Sequence, residues 1–226
     1  QTYKFGFRGI TAGDWLKDIC INEYNMQADS FSFSYDKDLY TPKTKKDNIK
    51  RVFFYARPVT PRRDFELGLL ALNELSKRIP DLEVIFAGWD VSTYEIPFKH
   101  QNLGIMRIEE LSELYGKCDL CLVISNTNLS LLPLEVMASG SVAVCSKGAN
   151  SEWLVNEDNS ILVSYDPIEI ADTMYSYMID SIKLDNIRKK GIEFAQNTSW
   201  DVEGKKVLEA VLKGIKEDEK CINNRG

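Results

Sequence analysis

Two short loops of this chain combine residues that bind phosphate with residues that bind hydroxyl groups. The first, residues 56–64, has two prolines and three arginines: Arg57, Arg62 and Arg63. Arginine grips phosphate oxygens through two parallel hydrogen bonds, and the prolines stiffen the loop that presents it. The loop leads into a predicted helix, whose first N–H groups favour an anion. This pattern predicts a diphosphate site; the alternative is a solvated surface loop with ordinary salt bridges.

The second loop, residues 125–130, precedes a predicted helix that carries one acidic residue, Glu135. Most of its residues are small and polar, which lets backbone N–H groups approach an anion. The residues that we assign to the site are Thr127, Asn128, Leu129 and Ser130. A carboxylate in the following helix can accept hydrogen bonds from two vicinal ribose hydroxyls. Glu135 has apolar neighbours on both sides, so we expect it near the buried side, where it needs partners. The alternative is an exposed helix residue.

Two further candidates follow other predicted strands. Gly88 and Trp89 come directly after a strand predicted over residues 83–87. The glycine allows a sharp turn, and the tryptophan either covers a nucleobase or packs in the core. Met106 ends a short strand predicted over residues 103–106, whose backbone could hydrogen-bond the edge of a base.

Composition and charge exclude several other classes of protein. The net charge of −6 argues against a general nucleic-acid binder. There is no apolar run near the ~20 residues that a membrane span needs, so we expect at most peripheral membrane contact. The C-x-x-C formed by Cys118 and Cys121 lacks a second pair and a nearby histidine, which favours buried structural thiols in a reduced, cytoplasmic protein. The only histidine, His100, is interpreted as a solvated loop residue. We therefore predict no metal and no cofactor.

The predicted elements place the candidate loops at one edge of a sheet. From residue 49 onward, short apolar strands alternate with amphipathic helices. This alternation predicts an α/β, Rossmann-like, doubly wound parallel sheet, whose ligands bind at the carboxyl ends of the strands. Residues 1–48 contain a helix predicted over residues 11–25 with Thr11 as its N-cap, a strand predicted over 28–35, and a polar stretch. We therefore divide the chain into a segment of residues 1–48 and a nucleotide-sugar-binding domain of residues 49–226.

Taken together, these residues resemble the donor-binding C-terminal half of the retaining family 4 glycosyltransferases, which have the GT-B fold. The string from Leu134 to Gly140 is similar to the end of that family's E-x7-E signature, with Val136 as the one change. The resemblance implies that Glu135 binds the donor ribose. It also implies that Arg57, with Arg62 or Arg63 in place of the family's lysine, contacts the donor diphosphate.

The first glutamate of that signature falls on Thr127. Altered first glutamates also occur in rhamnosyltransferases of surface-polysaccharide synthesis, and the Tyr55-Ala56-Arg57-Pro58 string is similar to that subgroup. The resemblance therefore implies transfer from dTDP-rhamnose or a UDP-sugar to a surface polysaccharide, another glycan or a lipid-linked acceptor. The alternative is a catalytically inactive nucleotide-sugar-binding or regulatory module, in which Thr127 marks lost chemistry.

A GT-B enzyme has two such domains. The resemblance thus implies an acceptor domain outside this chain, with residues 1–48 as its remnant and linker. The arginines would neutralise the leaving diphosphate as charge develops in the transition state. A GT-B sugar epimerase is disfavoured, because the histidine and carboxylate set for proton transfer is absent from the sequence.

Overall fold

The computed structural model describes residues 2–223, and the side chains of residues 3–217. The chain forms two compact units: one contains residues up to Ser34 together with those from Thr198, and the other is Tyr35–Asn197. These bounds differ from the predicted segments 1–48 and 49–226 at two places: residues 35–48 belong to the larger unit, and the residues from Thr198 belong to the smaller one. The origin of residues 1–48 as the remnant of a preceding domain stays a prediction.

Eight strands and eight α-helices form the described part of the chain. The strands are β1 (Gly9–Ala12), β2 (Ala28–Phe31), β3 (Arg51–Tyr55), β4 (Glu83–Ala87), β5 (His100–Asn102), β6 (Leu120–Val123), β7 (Val142–Ser146) and β8 (Ile161–Val163). The helices are α1 (Asp14–Tyr24), α2 (Phe65–Arg78), α3 (Ile108–Gly116), α4 (Leu132–Ala138), α5 (Ala149–Glu152), α6 (Pro167–Ile179), α7 (Ser181–Asn197) and α8 (Trp200–Asn223).

The larger unit is built on a six-stranded sheet in the order β5-β4-β3-β6-β7-β8. Every neighbouring pair is parallel, with Val52 opposite both Val84 and Leu120. The first strand, β3, therefore lies in the middle, and the chain continues to one side through β4 and to the other through β6. The topological switch point between β3 and β6 is where such sheets bind ligands. The predicted α/β, Rossmann-like fold class is confirmed.

The central strand buries both of its faces. Val52 and Phe54 belong to a core cluster with residues of α2 and α6, whereas the Phe53 ring makes an edge contact with Tyr115 of α3 at 5.1 Å between centroids. Side chains that alternate across a strand and are buried on both sides are typical of a parallel sheet covered by helices.

Gly68 of α2 allows the helix to pack directly on the ring of Phe54. A Cβ atom at this position would lie 2.1 Å from Phe54 Cζ. We expect Gly68→Ala to lower the free energy of unfolding by about 2 kcal/mol, because a close-packed core must shift to accept the methyl group. Chemical denaturation checks this, with Gly204→Ala as the control, since a Cβ there meets nothing within 4 Å. Equal midpoints for the two variants would contradict the expectation.

Three local predictions were wrong. The strand predicted over residues 103–106 lies earlier, at β5, because the chain turns at Gly104 (φ +58°) and leaves Ile105 83% exposed. His100 therefore opens a strand rather than lying in a loop, although its side chain is exposed as predicted. Thr11 is not an N-cap: it belongs to β1, and α1 begins after Gly13, which has φ +86°.

The smaller unit contains the parallel pair β1 and β2, joined by α1, with α8 packed against β2. Its elements are tied together by the Glu203 carboxylate, which accepts a hydrogen bond from the Ser32 N–H at 2.6 Å, and by an Arg8–Glu217 ion pair at 2.7 Å. No helix in the described part of the chain is both long enough and apolar enough to span a membrane.

Four cysteines, Cys20, Cys118, Cys121 and Cys145, are free and buried, as structural thiols are. The side chain of Cys221 lies outside the described residues.

Candidate functional site

The two candidate loops meet at the carboxyl ends of β3 and β6. These strands pair with Phe54 opposite Leu122, so the chain leaves both at the switch point. The Asn126 N–H donates to the Arg62 carbonyl at 2.9 Å, and Arg62 Nη1 donates to the Thr127 hydroxyl at 2.9 Å. The structure therefore joins the arginine loop to residues 125–130 in one surface.

The three arginines form a cluster of positive charge without a carboxylate partner among the described side chains. A 3-10 turn, Pro61–Arg63, presents Arg62 and Arg63, and the Arg57 guanidinium lies over the Tyr55 ring at 5.8 Å. Burial, aided by the nearby Arg62 and Arg57 charges, lowers the pKa of Arg63 below its ordinary value. Like charges held together in this way favour a multiply charged anion.

Side chains that follow the neighbouring strands, and that the sequence did not indicate, hold the second loop by hydrogen bonds. Asn150 Nδ2 donates to the carbonyls of Ser125 at 2.9 Å and Thr127 at 2.8 Å. The Tyr165 and Ser146 hydroxyls also donate to the Ser125 carbonyl, at 3.1 and 3.2 Å. Ser146 ends β7, Asn150 follows it in α5, and Tyr165 follows β8. Their positions after the carboxyl ends of these strands could have indicated them from the sequence. They hold the loop in a fixed shape.

The fixed loop leaves only some backbone N–H groups available to a ligand. The Ser130 N–H donates to Asn128 Oδ1 at 3.1 Å, and Ser130 has φ +63°. That N–H is therefore satisfied within the loop. The Asn128 and Leu129 N–H groups have no acceptor among the described residues. Leu129 is fully buried, backbone included, and anchors the loop, so of these two N–H groups only that of the partly exposed Asn128 is available to a ligand.

Glu135 lies on α4, where its neighbours Leu134, Val136 and Met137 are all fully buried. Its own side chain is half-buried, as expected, and among the described residues the Tyr40 hydroxyl lies beside its carboxylate without forming a hydrogen bond of normal geometry. Burial raises the pKa of Glu135 to about 7, and the neighbouring Tyr40 hydroxyl opposes part of this rise. The carboxylate is thus held with its hydrogen-bonding capacity unused, which favours a ligand that supplies donors.

The remaining candidates lie elsewhere along the sheet. Gly88 has φ +105°, and a Cβ there would lie 2.4 Å from Tyr55 Cε2, so only glycine fits beside that ring. Trp89 is half-buried and packs against the core cluster. Met106 lines a groove with Ile85 and other residues. The roles of Trp89 and Met106 toward a nucleobase stay predictions.

In the described part of the chain, no three histidine, cysteine, aspartate or glutamate side chains lie close enough together to hold a metal ion.

Solved structures share this fold. Sucrose-phosphate synthase from Thermosynechococcus elongatus matches 96% of the chain with a TM-score of 0.71 and 15% identity, over 59% of its own length. TarM from S. aureus, in a complex that includes UDP, matches 89% with a TM-score of 0.75 and 13% identity, over 43% of its own length. Anabaena HepE in complex with UDP and glucose matches 89% with a TM-score of 0.71 and 15% identity, over 62%. The fold is therefore the Rossmann-like C-terminal half of the GT-B type.

The chain belongs to the family described as WsaF, C-terminal domain, which matches residues 50–175. It is also 31% identical, over 219 residues, to the O-antigen biosynthesis protein RfbC of Myxococcus xanthus. That match covers 94% of this chain but only 17% of the length of RfbC.

Proposed function

We propose that this chain is the donor-binding half of a retaining glycosyltransferase that acts in the cytoplasm on a nucleotide-diphospho-sugar. The observation that carries the proposal is the arginine cluster, which has no carboxylate partner among the described side chains and lies at the switch point of the sheet. Unpaired cations in this place need an anion, and the topology puts the ligand of such folds there. The HepE and TarM structures, which are complexes with UDP, agree with this class of ligand.

Each residue of the site has a separate task in this proposal. Arg57, with Arg62 or Arg63, binds the diphosphate and stabilises the negative charge that develops on it as the sugar leaves. The Asn128 N–H adds a hydrogen bond to the same oxygens. Glu135 accepts hydrogen bonds from the ribose hydroxyls. The site supplies positive charge from arginine alone, so we expect transfer without a metal ion.

The donor sugar is proposed from the position of Thr127. Its hydroxyl accepts a hydrogen bond from Arg62 at 2.9 Å, so this position holds an arginine instead of presenting a carboxylate to the sugar. This supports a donor such as dTDP-rhamnose, with a UDP-sugar as the second candidate. The likeness to an O-antigen biosynthesis protein supports a surface polysaccharide, a glycan or a lipid-linked intermediate as acceptor, and it does not favour an inactive module.

The acceptor site is proposed to lie in a separate domain of the whole protein. The chain spans 17% of the length of RfbC and 43% to 62% of the three structures above. In the two-domain arrangement that we propose, the acceptor is bound across a cleft from the diphosphate.

Calorimetry of this chain with UDP, dTDP and uridine tests donor binding. We expect one of the two diphosphates to bind at least about tenfold more tightly than uridine, because charge-assisted contacts to phosphate supply most of the affinity. Arg57→Ala should reduce the advantage of the diphosphate, and Glu135→Ala should weaken the nucleotide and uridine alike. An unchanged nucleotide affinity in both variants would refute the proposal. The anomeric configuration of the product of the whole protein tests retention.

A further inference from the structure

The Tyr40 hydroxyl is a buried polar group that no hydrogen bond within the described chain explains. The Tyr40 side chain is only 2% exposed, and its hydroxyl oxygen is buried without a well-formed hydrogen bond. Burying a hydroxyl without a partner is unfavourable, and native structures rarely tolerate it without a reason. The hydroxyl lies beside the carboxylate of Glu135, which also has unused hydrogen-bonding capacity.

The Tyr40 ring is fixed by its surroundings. It stacks on Tyr115 at 6.2 Å and 14°, and Tyr115 in turn contacts Phe53 of the central strand. Just beyond Tyr40, the Lys43 N–H donates to the Ser139 carbonyl at 3.0 Å, at the C-terminal end of α4. The segment that carries Tyr40 is therefore held both by α3, through the stacked rings, and by the end of α4, the helix that carries Glu135. The hydroxyl is held at the carboxylate by packing.

We propose that Tyr40 is a positioning residue that donates a hydrogen bond to the Glu135 carboxylate when a nucleotide is bound, fixing the orientation in which Glu135 receives the ribose hydroxyls. This inference rests on the proposed function of Glu135. A carboxylate has two oxygens and about four acceptor sites, so one can be occupied by Tyr40 while others remain for vicinal hydroxyls. A ligand that draws the carboxylate toward itself would then satisfy both buried groups.

Tyr40→Phe tests the inference, because it keeps the stacked ring and removes only the hydroxyl. We expect UDP-glucose affinity at pH 7 to fall by about tenfold or more, the loss of one hydrogen bond to a charged group. The titratable side chains that face Glu135 are those of Tyr40 and Tyr115. Because the Tyr40 hydroxyl lowers the pKa of Glu135, its removal should also move the rise of affinity with pH to higher pH.

Two further variants make the result specific. Tyr35→Phe removes a hydroxyl from another buried tyrosine of the same unit, and it should leave both the affinity and the pH profile unchanged. In a Glu135→Ala background, which leaves no acceptor for the hydroxyl, Tyr40→Phe should change the affinity by less than twofold, because the two residues act through one interaction. An unchanged pH profile for Tyr40→Phe, or an equal loss in both backgrounds, would overturn the inference while leaving the function of Glu135 intact. Failure of the wild-type chain to bind UDP-glucose and dTDP-glucose would instead reject the proposed function.

Discussion

Replacing Arg57 and Arg63 together with alanine should weaken the binding of UDP by about 100-fold or more, while uridine affinity stays within twofold. Hydrogen bonds to charged groups contribute about 1.5 to 3 kcal/mol each, and 1.4 kcal/mol corresponds to a tenfold change in affinity. The loss should be confined to ligands with phosphate, because neither arginine is assigned to the ribose. Calorimetry with UDP, UMP and uridine separates these contributions.

The same double variant should not be destabilised. No carboxylate lies within ion-pair distance of either arginine among the described side chains, and the two positive charges oppose each other together with Arg62. Removing them relieves repulsion, so we expect an unchanged or higher melting temperature. Arg188→Ala together with Lys190→Ala is the matched control, because these two cations of α7 are paired with Asp185 and Asp158. It should leave UDP affinity unchanged; an equal loss in both variants would show that net charge, rather than the cluster, attracts the nucleotide.

The sequence predicted the parts of the site that follow strands directly. Arg57 and Thr127 are found from a local pattern, since an apolar strand followed by a polar loop marks the binding edge of a parallel sheet. The contact between Arg62 and Thr127 joins residues 65 positions apart, yet it follows from the pairing of β3 with β6. For this reason the two loops could be expected to lie side by side before their geometry was known.

Other parts of the site depend on packing that no local pattern shows. Tyr40 lies in a polar stretch that reads as a linker, and only the folded chain buries it beside Glu135. Asn150 shows no local sign of a role in the site, but its side chain donates hydrogen bonds to the carbonyls of residues 125 and 127. The short strand β5 was misplaced because its residues, His100 to Asn102, are polar or charged, whereas the following exposed turn is apolar.

The affinity for UDP-glucose should rise about tenfold between pH 6 and pH 8. Burial raises the pKa of Glu135 to about 7, so the carboxylate is mostly protonated at pH 6 and mostly ionised at pH 8. The ionised form is the better acceptor for the ribose hydroxyls, and the diphosphate diester of UDP-glucose does not titrate in this range. Glu135→Gln should bind with a flat pH profile, at the level of the protonated wild type. A wild-type profile as flat as that of the variant would contradict the assignment of Glu135.

The same carboxylate should make the unliganded chain less stable as the pH rises. The pKa of Glu135 in the folded chain is raised above its ordinary value near 4.5, so the folded state holds a proton that the unfolded state has lost. Stability is therefore full below pH 4.5 and falls until the pH passes about 7. Discounted for partial exposure, the loss is about 2 kcal/mol. Glu135→Gln should remove this loss, raising the melting temperature at pH 8 but not at pH 4.5, and UDP-glucose should restore the wild type at pH 8. If Glu135→Gln had the same melting temperature as the wild type at pH 8, the Glu135 carboxylate would already have its hydrogen-bond partners in the free protein and would not be held for a ligand.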